Sequence, residues 1–162
     1  CADCGLPGDG RRKVRRLIAA VAVSTLLLPL PSQAQACLDR ETLVAAQVHE
    51  FEAMMMAVSL RCKAIGVDIS PDYEAMLATH APVFAAADRR LRAHFAEGRS
   101  YESYATQLGN RYGGGATDPA NCQRFDAVAR NLAAQPAISA LGKVVAAMVA
   151  QPRITGAVCR QP

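Results

Sequence analysis

The segment from residue 44 to residue 65 has the sequence VAAQVHEFEAMMMAVSLRCKAI, and apolar side chains recur along it at the spacing of an α-helix. These positions, separated alternately by four and three residues, are Val44, Val48, Phe51, Met55, Val58, Cys62 and Ile65. A run of this length and period predicts one long helix with a single buried stripe. Asp39 can cap its start and Gly66 can end it, so we expect the first helix to span residues 40–65.

The next segment repeats this pattern. Ser70 followed by Pro71 predicts a helix start, because serine caps helices and proline is favoured at the first helical position. The second stripe keeps the same spacing and consists of Tyr73, Leu77, His80, Phe84, Ala87, Leu91 and His94. The phase continues across Pro82, so the region is either one helix kinked there or two helices that abut. We expect it to end at Gly98.

Three shorter helices are predicted downstream. The third starts with Ser100 as its cap and ends at the glycines 113–115. The fourth starts at Asp118, and the fifth begins at Pro136 and closes at Pro152. No alternating pattern of useful length predicts a strand. The sequence therefore predicts an all-α fold, either a small helical bundle or an irregular array of about five helices.

The residues before these helices have the layout of a signal peptide. Five basic residues between positions 11 and 16 precede an uncharged apolar run over residues 17–30. That run is shorter than the roughly 20 residues that span a bilayer, which argues against a permanent anchor. The pattern Ala34-Gln35-Ala36 places the cleavage between Ala36 and Cys37. We therefore expect residues 1–36 to be a signal peptide and residues 37–162 to form a single helical domain, periplasmic or secreted.

Two further expectations concern this leader. A lipid anchor on Cys37 is not expected, because Ala34 occupies the place where lipidation signals have a leucine-like residue. Position 1 is not methionine, and one interpretation places the start at Val14, through an alternative start codon, so that earlier residues are not translated. On that interpretation the pair Cys1 and Cys4 never reaches the exported protein, and its spacing has no metal or redox meaning.

Charge narrows the classes of partner. The leader holds five of the 18 basic and two of the 14 acidic residues, so residues 37–162 retain 13 and 12 and a net charge of +1. Nucleic-acid binding needs a basic face that displaces counterions, and a membrane-surface helix needs a basic polar side. Neither is expected here, nor is stable membrane insertion after cleavage. The expected partner is an envelope protein or a ligand.

The four cysteines of the predicted domain are Cys37, Cys62, Cys122 and Cys159. An even number in an exported protein predicts two disulfides. Cys37 and Cys62 flank the first helix, which separates them by roughly 35 Å at about 1.5 Å per residue, whereas a disulfide needs Cα atoms within about 7 Å. Two pairings remain. Pairing Cys62 with Cys122 and Cys37 with Cys159 is favoured over Cys37 with Cys122 and Cys62 with Cys159, because it ties the domain ends together.

No metal or cofactor site is expected from the remaining residues. His49 begins a zinc-protease motif, but Ala53 replaces the second histidine. His80 and His94 share a face yet lie about 21 Å apart along an unbroken helix at 1.5 Å per residue. The methionines at 54–56 are interpreted as core filling, since consecutive helical residues point in different directions. A metal or haem carrier is kept as a second alternative function.

Glu102 supplies the main enzymatic alternative. It precedes Ser103 within the segment 101–119, and this glutamate–serine pair resembles the acid of lytic transglycosylases. The resemblance covers about a tenth of the predicted domain and implies an envelope enzyme that acts on glycan through Glu102. The family's glycine-leucine-methionine-glutamine segment is absent, and a glutamate in the first turn of a helix also stabilises the helix dipole. Glu50 and Glu52 form a second carboxylate pair for the same class.

Three tyrosines at helical spacing, Tyr101, Tyr104 and Tyr112, are the candidate binding surface. A tyrosine ring packs on apolar neighbours while its hydroxyl stays free for a partner. With export, two disulfides and near-neutral charge, this pattern favours a non-catalytic binding or accessory module, such as an inhibitor or a chaperone-like factor. The glycan-acting enzyme is the alternative.

Overall fold

The computed structural model describes residues 37–95 and 98–159. Within them the protein forms five α-helices: α1 (Arg40–Ala64), α2 (Ser70–Phe95), α3 (Gly98–Gly113), α4 (Pro119–Ala133) and α5 (Ile138–Met148). The predicted all-α class, with about five helices and two disulfides, is confirmed. The predicted signal peptide, its cleavage after Ala36 and the start at Val14 concern residues outside those described. None of the helices in the described ranges has both the length and the apolar character needed to cross a membrane.

Helix α1 starts and ends by the predicted local chemistry. The Asp39 carboxylate accepts the backbone N–H of Thr42 at 2.7 Å, and Gly66 ends the helix with a φ of +83°, which costs glycine little. The buried inner positions are Val48, Phe51, Met55, Val58 and Cys62. The predicted stripe is too long at both ends, because Val44 and Ile65 are 49% and 46% exposed. Ala45 and Ala46 take the inward positions in the first turns.

Helix α2 runs from Ser70 to Phe95 and consists of two helical segments that meet at a kink just before Pro82. His80 has non-helical dihedrals (φ −109°, ψ 15°), because the ring at Pro82 collides with the preceding turn and lacks an N–H. The kink directs two side chains at the C-terminal end of α4. The Thr79 hydroxyl donates to the Ala133 carbonyl at 3.2 Å, and His80 Nε2 donates to the Leu132 carbonyl at 3.0 Å. The Ala133 carbonyl, near the end of α4, thereby gains a partner. The Leu132 carbonyl, which also accepts the Gln135 N–H at 3.2 Å, gains a further one.

The predicted cap at Ser70 is wrong in detail. Ser70 is the first residue of α2, and its backbone N–H is bound at 2.9 Å by the Asp68 carboxylate. Its hydroxyl lies 3.4 Å from the Ser59 hydroxyl of α1. Asp68, and not Ser70, therefore supplies the side chain that caps the start of α2.

The predicted boundaries of α3 and α5 also shift. Helix α3 begins at Gly98, so Ser100 lies inside its first turn and does not cap it. Helix α5 starts two residues after Pro136 and ends four residues before Pro152. Its N-cap is Ala137, whose side chain offers no capping bond. At these helix ends, the cap residues predicted the boundaries less well than the spacing of the apolar residues that face the core.

An extended tail follows α5 and returns to the start of α1. Leu38 and Val158 form a parallel β-bridge, in which the Leu38 N–H donates to the Ala157 carbonyl at 2.8 Å. The Cys159 N–H donates to the Leu38 carbonyl at 3.0 Å. Gly156 has a φ of +147°, and a Cβ there would meet Leu38 Cγ at 3.1 Å. Only glycine fits both the backbone conformation and the close approach.

Helices α1 and α2 form the centre of the domain, since each of them packs against all of the other helices. The main core includes Phe51 and Met55 from α1, Met76 and Leu91 from α2, Leu108 from α3, Leu132 from α4 and Leu141 from α5. A smaller cluster contains Val58, Cys62, Ile69 and Cys122. The inner disulfide therefore lies within packed apolar side chains.

The two disulfides have the pairing that the sequence favoured. Cys62 joins Cys122 with Cα atoms 5.7 Å apart, and Cys37 joins Cys159 with Cα atoms 4.9 Å apart. The first links the end of α1 to the start of α4, and the second closes the domain next to the β-bridge. Disulfides are compatible with an oxidising, extracellular location.

Candidate functional site

A groove of about 420 Å³ lies between α1, α2 and α3. It is lined by His49, Glu52, Ala53 and Met56 of α1, by Phe84, Ala85 and Asp88 of α2, and by Ala105 and Gly109 of α3. Its volume is within the range of sites that hold small ligands. The groove is thus lined both by titratable side chains, such as His49, Glu52 and Asp88, and by apolar side chains, such as Phe84 and Met56.

The helical spacing of each wall explains the groove. On α1 the lining residues are His49 with Glu52 and Ala53, three and four positions on, and Met56 one turn further, so they share one face of the helix. On α3 the facing positions are Ala105 and Gly109, one turn apart. Their small side chains leave open the volume that larger residues would fill, and a Cβ at Gly109 would meet nothing within 4 Å.

Asp88 is held as an anion by two donors. Arg92 Nε donates to Asp88 Oδ2 at 2.9 Å, and the Tyr101 hydroxyl donates to Oδ1. These bonds, from Arg92 first and Tyr101 second, lower the pKa of Asp88. The Arg92 guanidinium also lies over the Tyr101 ring, 4.2 Å from its centroid. The positive charge of Arg92 is thus matched within the domain.

Glu52 and His49 have fewer polar contacts than Asp88. Both side chains are partly buried, and neither makes a hydrogen bond or ion pair with a residue that the structure describes. Burial, and then the negative charge of Asp88, raise the pKa of Glu52. Burial lowers the pKa of His49. The groove therefore favours a neutral imidazole and makes ionisation of Glu52 costly when no cation is present.

The tyrosines predicted to form a binding surface point into the core. Tyr101 and Tyr104 are 5% and 6% exposed, and their rings lie 5.8 and 5.9 Å from the His49 ring, centroid to centroid. The Tyr112 hydroxyl donates to Glu50 Oε1 at 2.6 Å. Tyr101 and Tyr104 therefore lie behind His49 of the groove, and Tyr112 is partly buried against the core. The tyrosine side of α3 faces α1.

Glu50 is structural in this arrangement. It is 1% exposed, and its second oxygen accepts the backbone N–H of Arg153 at 2.6 Å. Together with the bond from Tyr112, this carboxyl ties α1 to α3 and to the tail. Burial inside that junction separates Glu50 from the groove, so the pair of Glu50 and Glu52 suggested for catalysis is not brought together on one surface.

Glu102 is exposed and does not line the groove. Since α3 begins at Gly98, Glu102 stands beyond its first turn, which corrects the helix-dipole role predicted for it. His80 is buried at the kink, and His94 packs against Phe95 with ring centroids 5.4 Å apart. Among the described residues, no three His, Cys, Asp or Glu side chains are grouped so that they could hold a metal ion.

No protein-family model matches this chain. No curated protein and no solved structure matches it either.

Sequence reasoning did not find the groove, although parts of its signal were present. Asp88 and Arg92 are four residues apart on one helix, a spacing typical of an ion pair. His49 and Glu52 are three residues apart on a second helix. The spacing of these residues does not show how α1 and α2 are rotated about their axes. That rotation brings Asp88 and Glu52 to the same groove.

Proposed function

We propose that this protein is an exported, periplasmic or secreted, non-catalytic binding module that holds a small ligand in the groove between α1, α2 and α3. The groove supports the proposal most directly, because it combines Glu52 and His49, both without polar partners among the described residues, with an apolar wall at Phe84 and Met56. Buried polar groups without partners are unfavourable, and a ligand that supplies a partner is stabilised in return.

The rigid frame around the groove also supports a binding role. Helix α1, which provides four of the lining residues, is tied to α4 by the Cys62–Cys122 bridge. Asp88 is fixed by Arg92 and Tyr101. Sites on helices held in this way bind with little loss of conformational entropy.

The binding proposal is tested with a variant that fills the groove. Gly109→Trp places a large ring where a Cβ has open space, and Gly142→Trp is the matched control, since it also has open space but lies on α5, away from the groove. The protein is purified from its own organism and analysed by native mass spectrometry. We expect a small molecule bound to the wild type and to Gly142→Trp, and lost from Gly109→Trp.

Equal occupancy in the two variants would contradict a ligand in the groove. Turnover of peptidoglycan that is lost in Glu102→Gln would instead favour the glycan-acting enzyme. Export is tested separately by N-terminal sequencing, where we expect Cys37 as the first residue. An uncleaved protein inside the cell with four free thiols would contradict export.

A further inference from the structure

We infer that the groove selects a primary amine on a short apolar body, with the ammonium group beside Glu52 and the body on Phe84 and Met56. This inference rests on the proposed function, since it names the class of ligand for the same groove. It begins from the balance of charge around the groove.

When Glu52 is ionised, its negative charge is not matched by a cation among the residues that the structure describes. Arg92 binds Asp88 through its Nε at 2.9 Å and stacks on Tyr101, so its charge is already matched. Glu52, once ionised, adds a second carboxylate that no described cation contacts. An anionic ligand would be repelled by the ionised Glu52, whereas an ammonium group balances its charge.

The donors and acceptors favour an amine over a metal ion. An ammonium group has three N–H donors. The Glu52 carboxylate can accept one or two of them, and the neutral imidazole of His49 offers a further acceptor when its proton-free nitrogen faces the groove. A divalent ion would need more ligating side chains than the described residues place together here.

The apolar wall defines the body of the ligand. Phe84 and the three alanines Ala53, Ala85 and Ala105 line the groove beside the polar end. Met56 is 46% exposed, so a ligand that covers its side chain removes apolar surface from water. A hydrocarbon chain or a small ring suits this wall, while a sugar would leave its hydroxyl groups without partners.

Binding should be coupled to a proton. Several titratable or charged groups surround Glu52 and His49. Asp88 and Tyr73 of α2 and Tyr101 of α3 interact with Glu52, and Asp88 and Arg92 interact with His49, which lines the same groove. The pKa of Asp88 is lowered by its hydrogen bonds, and burial raises the pKa of Tyr73 and of Tyr101 to about 12. Glu52 and His49 are therefore the groups that change charge in mildly acidic solution. When an ammonium ion binds to the protonated site, the Glu52 proton leaves to solvent.

The test compares three probes of equal chain length: n-hexylamine, which is protonated at pH 7, hexan-1-ol and hexanoate. Each is titrated into the protein with both disulfides formed, and binding is followed by amide chemical shifts. We expect hexylammonium to shift the amides of Glu52, Ala53, Asp88 and Gly109. It should bind at least tenfold more tightly than hexanol, and hexanoate should bind least.

Two variants test whether Glu52 is responsible for the preference for the ammonium group. Glu52→Gln should weaken hexylammonium binding at least tenfold, bring it to the level of hexanol and reduce the decline of affinity at acidic pH to the part that protonation of His49 causes. Glu41→Gln is the control, because Glu41 lies on the same helix with its side chain 83% exposed, and it should leave the affinity unchanged.

The outcomes separate the ligand class from the function. If hexanol or hexanoate binds the groove as tightly as hexylammonium, or if Glu52→Gln has no effect, the amine is the wrong class while groove binding stands. If none of the three probes shifts groove amides, the amine inference is overturned. The mass spectrometry of Gly109→Trp then decides independently whether the groove binds anything else.

Discussion

Replacing Cys62 and Cys122 together by alanine should destabilise the protein more than replacing Cys37 and Cys159 together. The sequence separation is 60 residues for the first pair and 122 for the second. Loop-closure entropy alone favours the longer loop, but a doubling of length adds only about 0.6 kcal/mol. The burial of the two bridges decides which loss is larger.

The inner bridge is part of a packed cluster. Cys62 and Cys122 are both 0% exposed and lie against Val58 and Ile69. Removing each buried sulfur leaves space that the neighbours fill only in part, at about 1 kcal/mol per group. The outer bridge has an exposed and a partly buried sulfur-bearing residue, and its removal leaves no comparable cavity. The inner variant should therefore be less stable by about 1 to 1.5 kcal/mol.

Urea unfolding followed by circular dichroism at 222 nm measures this difference, with free energies of unfolding taken by linear extrapolation. Neither double variant has a free thiol, so oxidation does not confuse the comparison. The reasoning would be refuted if the Cys37→Ala/Cys159→Ala variant were as unstable as the other, or less stable.

Three further predictions concern individual side chains. Tyr112→Phe removes the donor to Glu50 and should cost about 1 to 3 kcal/mol. Tyr104→Phe should cost nothing or stabilise in the same urea experiment, since the buried Tyr104 hydroxyl has no partner among the described residues; the opposite order would contradict the assigned bonds. The bonds from Thr42 and Arg90 lower the pKa of Asp39 from 3.8 to about 2, so its contribution to stability is present above pH 4 and lost as the pH falls towards 2. In Asp39→Asn, the free energy of unfolding should therefore depend less on pH between 4 and 2. An unchanged pH dependence would contradict this contribution of Asp39. Burial lowers the pKa of His49 below 6.5, so the unfolded chain takes up this proton first and stability falls as the pH drops below about 6.5. An NMR titration of the His49 ring should have its midpoint below 6.5, and a midpoint at or above that value would show that the ring is not desolvated.

The helices and bridges were predictable because their signals are local or geometric. The four-and-three spacing from Val48 to Cys62 requires only that one face of a helix meets the core. The exclusion of a bond between Cys37 and Cys62 needed only the length of α1. Asp118 likewise caps α4 as predicted, with its carboxylate 2.8 Å from the N–H of Asn121.

Other features depend on contacts that sequence spacing does not contain. Ser70 and Ser100 have the composition of caps, yet Asp68 binds the first N–H of α2 and α3 begins before Ser100. Whether the tyrosine side of α3 faces water or α1 depends on how the two helices are rotated. The groove forms only when α1 and α3 are rotated in this way and when Asp88 of α2 lies near Glu52 of α1. Sequence spacing within one helix shows neither of these.

The tail and its bridge have a mechanical consequence. Residues 37 and 159 are joined covalently with Cα atoms 4.9 Å apart, so a pull on the flanking chain passes from one to the other through the sulfur atoms. While that bond is intact, tension applied between residues 37 and 159 is carried by the disulfide and does not pass through the five helices. Reduction of the same bond would transfer the load to the paired backbone at Leu38 and Val158, which has two hydrogen bonds to resist it.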